Sequence, residues 1–445
     1  MPAISNWYFL QIQNAILKLQ KICLTRGRGA AYDSSMRKGE LLERSMLPLV
    51  KRAAKAFPCV LLTGARQVGK STLLQRLLPK GVHYVSLDDY ATAASAKADP
   101  AMFLETLGCP ACIDEIQYAP ELMRAIKARV DAARRPGMYY MSGSQRFGLM
   151  KGVSESLAGR IAVLELGTLS QRELAGRGAK VPPYMPDKPL AIMKDAPVCS
   201  MAELYARIWN GGYPGLLCTP GMPRDLFFSS YLQTYIERDV SALTQVADKG
   251  AFQDMMYAMA DLTGQQLVYS DLARSAGVSM PTAKKWVSIL ETSGIITLLR
   301  PYSTTTAKRL TKAPVLHFMD TGFCCWLAGI KSPQELSEHR KLNGHILESW
   351  VFGQLLRRFY NAGDSPIIHF YRDANGAEID LLIERAGTLF PIEVKRSLSP
   401  SLADLKSMHK IPLGSKSLAP GVVFCPIQSP LPLGNNSLAL PISAI

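Results

Sequence analysis

The sequence predicts an α/β protein: a parallel sheet covered by helices, then a small helical unit with a wing, then a second, smaller α/β domain. Short apolar runs alternate with helical stretches through the first third, a pattern of parallel strands with helical crossovers. A glycine-containing loop follows the first of these runs, and alternation of strands and helices returns over the last 130 residues. The chain has 445 residues, which at ~150 per domain suggests about three domains. With 48% apolar and 20% charged residues it can bury a sizeable core, which excludes wholesale disorder. Lys and Arg number 51 against 36 Asp and Glu, a formal charge of +15 that favours polyanionic partners. The nine cysteines are scattered and no secretory leader precedes them, which points to a reducing cytoplasm. No run approaches the ~20 apolar residues of a membrane span, so no membrane is expected as a partner.

Residues 1–40 read as a loose tail, basic enough at its start to admit a transit-like leader or an upstream extension before Met36. Residues 41–174 form the first domain. Leu41, Leu42, Met46, Leu47 and Val50 recur at helical spacing, with Lys51, Arg52 and Lys55 towards the helix end. Cys59–Thr63, Val82–Leu87, Ala111–Ile113 and Met138–Met141 read as buried parallel strands. Residues 175–199, crowded with Gly176, Gly178, Pro182, Pro183, Pro186, Pro189 and Pro197, read as a linker or an extended excursion. Residues 200–251 are helical in pattern, 252–312 form the helix–turn–helix unit, and 313–445 return to mixed strands and helices.

Gly64-Ala65-Arg66-Gln67-Val68-Gly69-Lys70-Ser71-Thr72 matches G-x-x-x-x-G-K-[ST] between a predicted strand and the predicted helix Thr72–Leu78. Backbone N–H groups and a helix N-terminus must wrap an anionic phosphate there, so glycine is needed where a Cβ would clash. The expected fold is a P-loop NTPase sheet. Lys70 reaches the β/γ-phosphates of ATP, and Ser71 is placed to ligate Mg²⁺. The run Ala111-Cys-Ile-Asp114-Glu115 ends an apolar strand in two carboxylates: Asp114 suits the Mg²⁺ shell and Glu115 suits polarising the attacking water. Ser144 and Gln145, after the next strand, sense the γ-phosphate or form an ordinary turn. Arg160, in Ser154–Arg160, stabilises γ-phosphate charge from this chain or a neighbour in a homo-oligomer, or makes a surface ion pair.

GARQVGKST, CIDEIQYAPEL, MSGSQ, SESLAGR, GGYP at 211–214, YIERDV at 235–240 and IEVK at 392–395 stand in this order. Over residues 41–400 the chain resembles a large prokaryotic family of AAA-type ATPases with a C-terminal module of uncharacterised function. The resemblance implies an ATP-hydrolysing core of the ASCE type, with Lys70, Ser71, Asp114 and Glu115 in the roles argued above.

Ser270–Trp286 reads as helix–turn–helix: Ala273 permits close packing, Gly277 makes the turn, and Ser279 caps the second helix before Pro281. Leu290, Ile295, Ile296 and Leu298 continue as a wing strand. Lys284, Lys285, Arg300, Lys308, Arg309 and Lys312 supply a basic surface, and DNA is the expected partner. A winged helix serving protein contacts or internal packing is the other reading.

Gly376–Glu384 and Leu389–Lys395 read as a hairpin that brings Asp380 beside Glu393 and Lys395, the last two on one strand face. Two carboxylates can hold a second Mg²⁺ or Mn²⁺ on a phosphodiester while the lysine orients water or steadies charge. D-x₁₂-E-x-K is similar to the PD-(D/E)xK nucleases, which implies a restriction-endonuclease-like domain, although Ile379 stands where that name has proline. By resemblance to archaeal Holliday-junction resolvases, Glu348 on the predicted helix Ile346–Tyr360 is a further metal-binding acid. Cys109 and Cys112 have zinc-like spacing without a second pair and read as core, as do Trp209, Trp286, Trp326 and Trp350. The expected function is ATP hydrolysis coupled to DNA binding or processing; its rival is a nucleotide-driven switch for protein partners with a silent nuclease-like scaffold.

Overall fold

A computed structural model describes residues 42–78, 81–144, 157–178, 184–193, 199–237, 248–305 and 312–445. The tail, Gln145, Lys308 and Arg309 lie outside them, as does part of the expected linker.

The apolar run Cys59–Thr63 forms β1, buried along its whole length. It joins β2 (His83–Ser86), β3 (Ala111–Asp114), β4 (Tyr139–Gly143) and β5 (Ile161–Glu165) in a parallel sheet of order β2-β3-β4-β1-β5. The fifth strand was not expected from the sequence. Alternate side chains feed two cores: Cys59 and Leu61 pack with Ile113 and Met141, whereas Val60 and Leu62 face the opposite side. Because β4 lies between β1 and β3, the phosphate loop and Asp114 leave the same sheet end one strand apart. The helix after the loop starts at Lys70 and runs to Leu77, two residues earlier than the predicted start.

Helix Lys249–Ala260, β6 (Gln265–Gln266), helices Tyr269–Ser275 and Met280–Thr292, β7 (Ile296–Leu299) and β8 (Val315–Phe318) follow in order. The three strands form an antiparallel sheet of order β6-β8-β7. Leu290, expected in the wing strand, ends inside the helix, and Ile295 lies in the turn, because Ser293 and Gly294 first close that helix. β8 pairs with β7 although it lies beyond residue 312. Past β7 the chain does not project freely. Tyr302 N–H donates to Phe370 O at 2.6 Å and Phe370 N–H donates to Arg300 O at 3.2 Å, stitching this segment to the next domain.

Helix Leu342–Ala362 has 21 residues and is buried on nearly all sides, from Ile346 and Trp350 to Leu355 and Phe359. It precedes β9 (Ile367–Arg372), β10 (Glu378–Arg385) and β11 (Thr388–Val394), an antiparallel meander. A 3₁₀ segment, Leu402–Lys410, then leads to β12 (Ser417–Leu418), β13 (Val422–Cys425), β14 (Leu431–Gly434) and β15 (Ser437–Pro441). β13 lies parallel to β11, and β15 parallel to β13. One apolar core runs from Val60 through Phe228 and Trp286 to Phe352 and Phe424, so these units share side-chain packing.

Within the expected linker or excursion, residues 184–193 pack against the core. The segment's prolines deny it a helical period, yet Tyr184 is 1% exposed, edge-on to Phe359 at 6.0 Å and 6.3 Å from Phe424. Ile192 and Met193 are buried as well. Residues 184–193 are thus held by single anchors, not by periodicity. Tyr184→Ala should cost about 3–5 kcal/mol, the range for emptying an aromatic core position. An unchanged denaturation midpoint would remove Tyr184 as the anchor. Among the described residues no helix is long and apolar enough to cross a membrane.

Candidate functional site

Gly64 leaves β1 at φ +140°, and a Cβ there would sit 2.1 Å from Leu166 O. Any side chain at this position would drive the loop away from the end of β5. Gly69 closes the loop at φ +91°, immediately before the helix begins. Arg44, upstream of every motif, clamps the loop: it donates to Val68 O and Gly167 O, both at 2.6 Å, and pairs with the fully buried Glu173 at 3.1 Å. Lys70 is 5% exposed, and its Nζ donates to Gly64 O at 3.1 Å and Ala65 O at 2.8 Å. Its charge is thereby held at the loop, where phosphate would lie. Ser71 and Thr72 occupy the helix's first turn.

Asp114 ends β3 and is buried, gripped by two hydroxyls. Tyr84 OH donates to Oδ2 at 2.8 Å, and Ser142 Oγ donates to Oδ1. Burial and the neighbouring Asp114 charge both push the Tyr84 phenol well above its usual pKa, so it stays a donor. Glu115 adopts left-handed backbone at φ +56°, which turns its side chain out of the strand path. Its N–H donates to Ser142 Oγ at 3.3 Å, and its carboxylate accepts from Ser144 Oγ at 3.1 Å and from Gln117 Nε2. Ser71 hydroxyl and Asp114 carboxylate are an all-oxygen set of the kind Mg²⁺ takes.

Of the two readings of Arg160, the structure shows the ion pair. The residue precedes β5, its carbonyl accepts from Cys59 N–H, and its guanidinium pairs with Asp131 at 2.5 Å. Since β1 and β5 run parallel from Cys59 and Ile161, Arg160 sits at the sheet end opposite the loop. It cannot meet the γ-phosphate of its own chain.

Three other segments close around the loop. Gly212 O accepts from Leu169 N–H at 2.7 Å, and its N–H donates to the buried Asp320 at 2.8 Å. Arg357, from the long helix, donates to Thr168 Oγ1 at 3.3 Å and Met319 O at 3.0 Å; burial lowers its pKa to about 10. Gly294, which ends the second helix of the helix–turn–helix at φ +72°, lies beside the loop, where a Cβ would make an ordinary contact 3.4 Å from Ala65 N. On that helix Lys284 and Lys285 are exposed, with Lys284 Nζ 5.6 Å from the Tyr269 ring centre. Lys312 is exposed and Arg300 half-buried.

The C-terminal hairpin brings Asp380, Glu393 and Lys395 together. Leu381 pairs with Ile392 across β10 and β11, which sets Asp380 opposite Glu393. Lys395 Nζ is 2.5 Å from Glu393 Oε2 and 3.9 Å from Asp380 Oδ2, and Val394 N–H donates to Asp380 Oδ2 at 2.7 Å. Burial, then the Asp380 charge, raises Glu393 to about 9. Burial raises Glu348 to about 7, opposed by His345, whose Nδ1 lies 3.4 Å from Glu348 Oε2; the charges of Asp380 and Lys395 also act on it. This buried surplus of acid suits a hard cation. It is not a formed cage: among the described residues no three His, Cys, Asp or Glu side chains are arranged to hold a metal ion. Lys395 already engages Glu393.

Arg44, Tyr84, Ser142, Gln117 and His345 were not singled out in the sequence. Ser142 stands in the MSGSQ run, and His345 lies one helical turn before Glu348, a readable spacing. Arg44 and Tyr84 carry no such signal, since only folding brings them to the loop and to Asp114.

Residues 56–175 match a family model described as an AAA domain. The N-terminal unit carries a P-loop ATPase domain of the AAA type. Residues 201–334 and 343–445 match two models described as domains of unknown function, DUF8612 and DUF4143. Uncharacterised proteins of Mycobacterium bovis and Mycobacterium tuberculosis are each 29% identical over 357 residues, 80% of this chain and 74% of theirs. Among solved structures, a Walker-type ATPase of Pyrococcus abyssi is 15% identical with a TM-score of 0.40, over 64% of this chain and 96% of that one. A RuvB variant of Thermotoga maritima is 20% identical with a TM-score of 0.29, over 60% and 92%.

Proposed function

We propose that this chain hydrolyses ATP and uses its nucleotide state to control DNA binding or processing by its C-terminal half. The observation that carries this reading is the nearness of Gly294 to Ala65: the turn ending the candidate recognition helix lies beside the phosphate loop, with room for about one Cβ between them, and the two line one cavity. A loop that changes shape on phosphate therefore does so next to that helix. Lys70 and the loop N–H groups bind the phosphates, and Glu115 takes the proton of the attacking water. Ser71 and Asp114 would hold Mg²⁺, which when bound neutralises charge on the β- and γ-phosphates. Self-association and a reducing cytoplasm belong to the same proposal, the latter suited to free thiols such as Cys324 and Cys325.

The order helix, helix, strand, strand within 269–318 supports a winged helix, with Lys284 and Lys285 facing phosphates. A helix, a three-stranded meander and a parallel fourth strand, with Asp380 on β10, Glu393 on β11 and Lys395 just past its end, support a PD-(D/E)xK nuclease-like domain. Asp380, Glu393 and Glu348 would hold its cation, which would supply charge on the phosphodiester.

DNA affinity measured by fluorescence anisotropy across a salt series tests the interface. Replacing Lys284, Lys285 and Arg300 by alanine should weaken binding to all sequences and flatten the salt slope by roughly one unit per lost phosphate contact. A non-hydrolysable ATP analogue should shift the wild-type affinity. Identical slopes in variant and wild type would move the module to protein contact. That second reading, a switch for protein partners with a silent nuclease-like scaffold, is favoured by the Lys395–Glu393 pair and by the stitching of residues 300–302 onto β9.

A further inference from the structure

We propose that Tyr84 is a positioning residue for ATP hydrolysis, fixing from the sheet's edge strand the carboxylate of Asp114. The inference rests on the ATPase reading above and names a residue that no motif includes. Tyr84 belongs to β2, the terminal strand of the five-stranded sheet, and the residue is 40% exposed. Its ring is therefore not a core anchor, yet its hydroxyl turns inward to Asp114 Oδ2 at 2.8 Å. Ser142 on β4 donates to the other carboxylate oxygen, so the two strands flanking β3 each supply one hydroxyl to the same group.

A carboxylate at a strand end can rotate about its last bond. Two O–H donors on opposite oxygens remove that freedom, and bonds to an ionised acceptor are the strong kind. Gln75 extends the grip, because its side chain stands beside the same phenol. Gln75 lies on the helix that begins at Lys70 and also carries Ser71. The chain of contacts Gln75–Tyr84–Asp114 thus ties the two oxygen donors that would hold Mg²⁺ through side chains as well as through the sheet. Ser142 continues it to Glu115, whose N–H donates to the serine oxygen. One network sets the bearing of both acids.

Tyr84→Phe keeps the ring and deletes one hydroxyl. Loss of an outer-shell partner of a metal ligand typically costs 10–100-fold in metal affinity or activity. In the full chain carrying Glu115→Gln to block turnover, Mg²⁺ binding to the ATP complex is measured by calorimetry. Tyr84→Phe should weaken it about 10–100-fold, while ATP affinity in EDTA and the melting temperature stay at the parent's values. Gln75→Leu should shift Mg²⁺ binding in the same direction by less. An Mg²⁺ affinity equal to the parent's overturns the inference, as does a lowered melting temperature with unmoved Mg²⁺ affinity, the result expected of a merely structural tyrosine. If the parent itself binds no Mg–ATP, the ATPase reading falls, and this inference with it.

Discussion

Lys70→Ala should lower ATP turnover about 10²–10³-fold, the usual loss when one preorganised donor to a developing charge is removed. The lysine is nearly buried and held over the loop by two carbonyls of that loop, so its ammonium is already placed before phosphate arrives. No other Lys or Arg is shown donating to these carbonyls among the described hydrogen bonds, and Arg44 is committed to Val68, Gly167 and Glu173. Glu115→Gln should keep the fold and the bound nucleotide yet stop hydrolysis, since an amide accepts no proton from water at neutral pH. Phosphate release and binding of a fluorescent ATP analogue separate the two effects. Unchanged turnover in both variants would sink the ATPase assignment.

Asp380→Ala should abolish metal-dependent DNA cleavage and leave ATP hydrolysis intact, because the two centres stand on different sheets. The panel is plasmid, single-stranded, forked and four-way DNA with Mg²⁺ or Mn²⁺. Burial first, and then the Asp380 charge, raises Glu348 and Glu393, so removing Asp380 changes the whole acidic centre. Lys395→Ala should spare metal binding and slow cutting, and it also frees the Glu393 carboxylate from its present partner. Glu348→Ala should act like a weaker Asp380 variant. Weak wild-type cutting is expected, stronger with Mn²⁺. A purified chain that cuts nothing in the panel would leave this domain a scaffold, and cutting undiminished in Asp380→Ala would put the site elsewhere.

The phosphate loop was legible because its chemistry is local: nine consecutive residues carry the glycines, the lysine and the hydroxyls that a phosphate needs. Asp114 and Glu115 were legible for the same reason, as polar residues ending an apolar run. The hairpin of Asp380, Glu393 and Lys395 followed from the period of two along a strand and a short turn. Spacing left Arg160 open between phosphate and ion pair, because spacing after a glycine says nothing about which end of a sheet a residue occupies. Parallel strands put chain neighbours of β5 at the far end from the loop, and only the register shows it.

By itself, then, the sequence determined the strands of the first sheet other than β5, the loop between β1 and its helix, and the pairing of acids and lysine near the C-terminus. Each depends on contacts within a few residues or on one hairpin. Tertiary structure alone decided that Arg44 clamps the loop, that Tyr84 grips Asp114, that Tyr184 anchors a proline-rich stretch, and that Gly294 lies beside Ala65. Those pairs join residues from 24 to 229 positions apart where packing of separate elements, not local periodicity, sets the distance. A side chain's reach can be read from its type, but what lies within that reach is settled only when the sheets and helices have closed on one core.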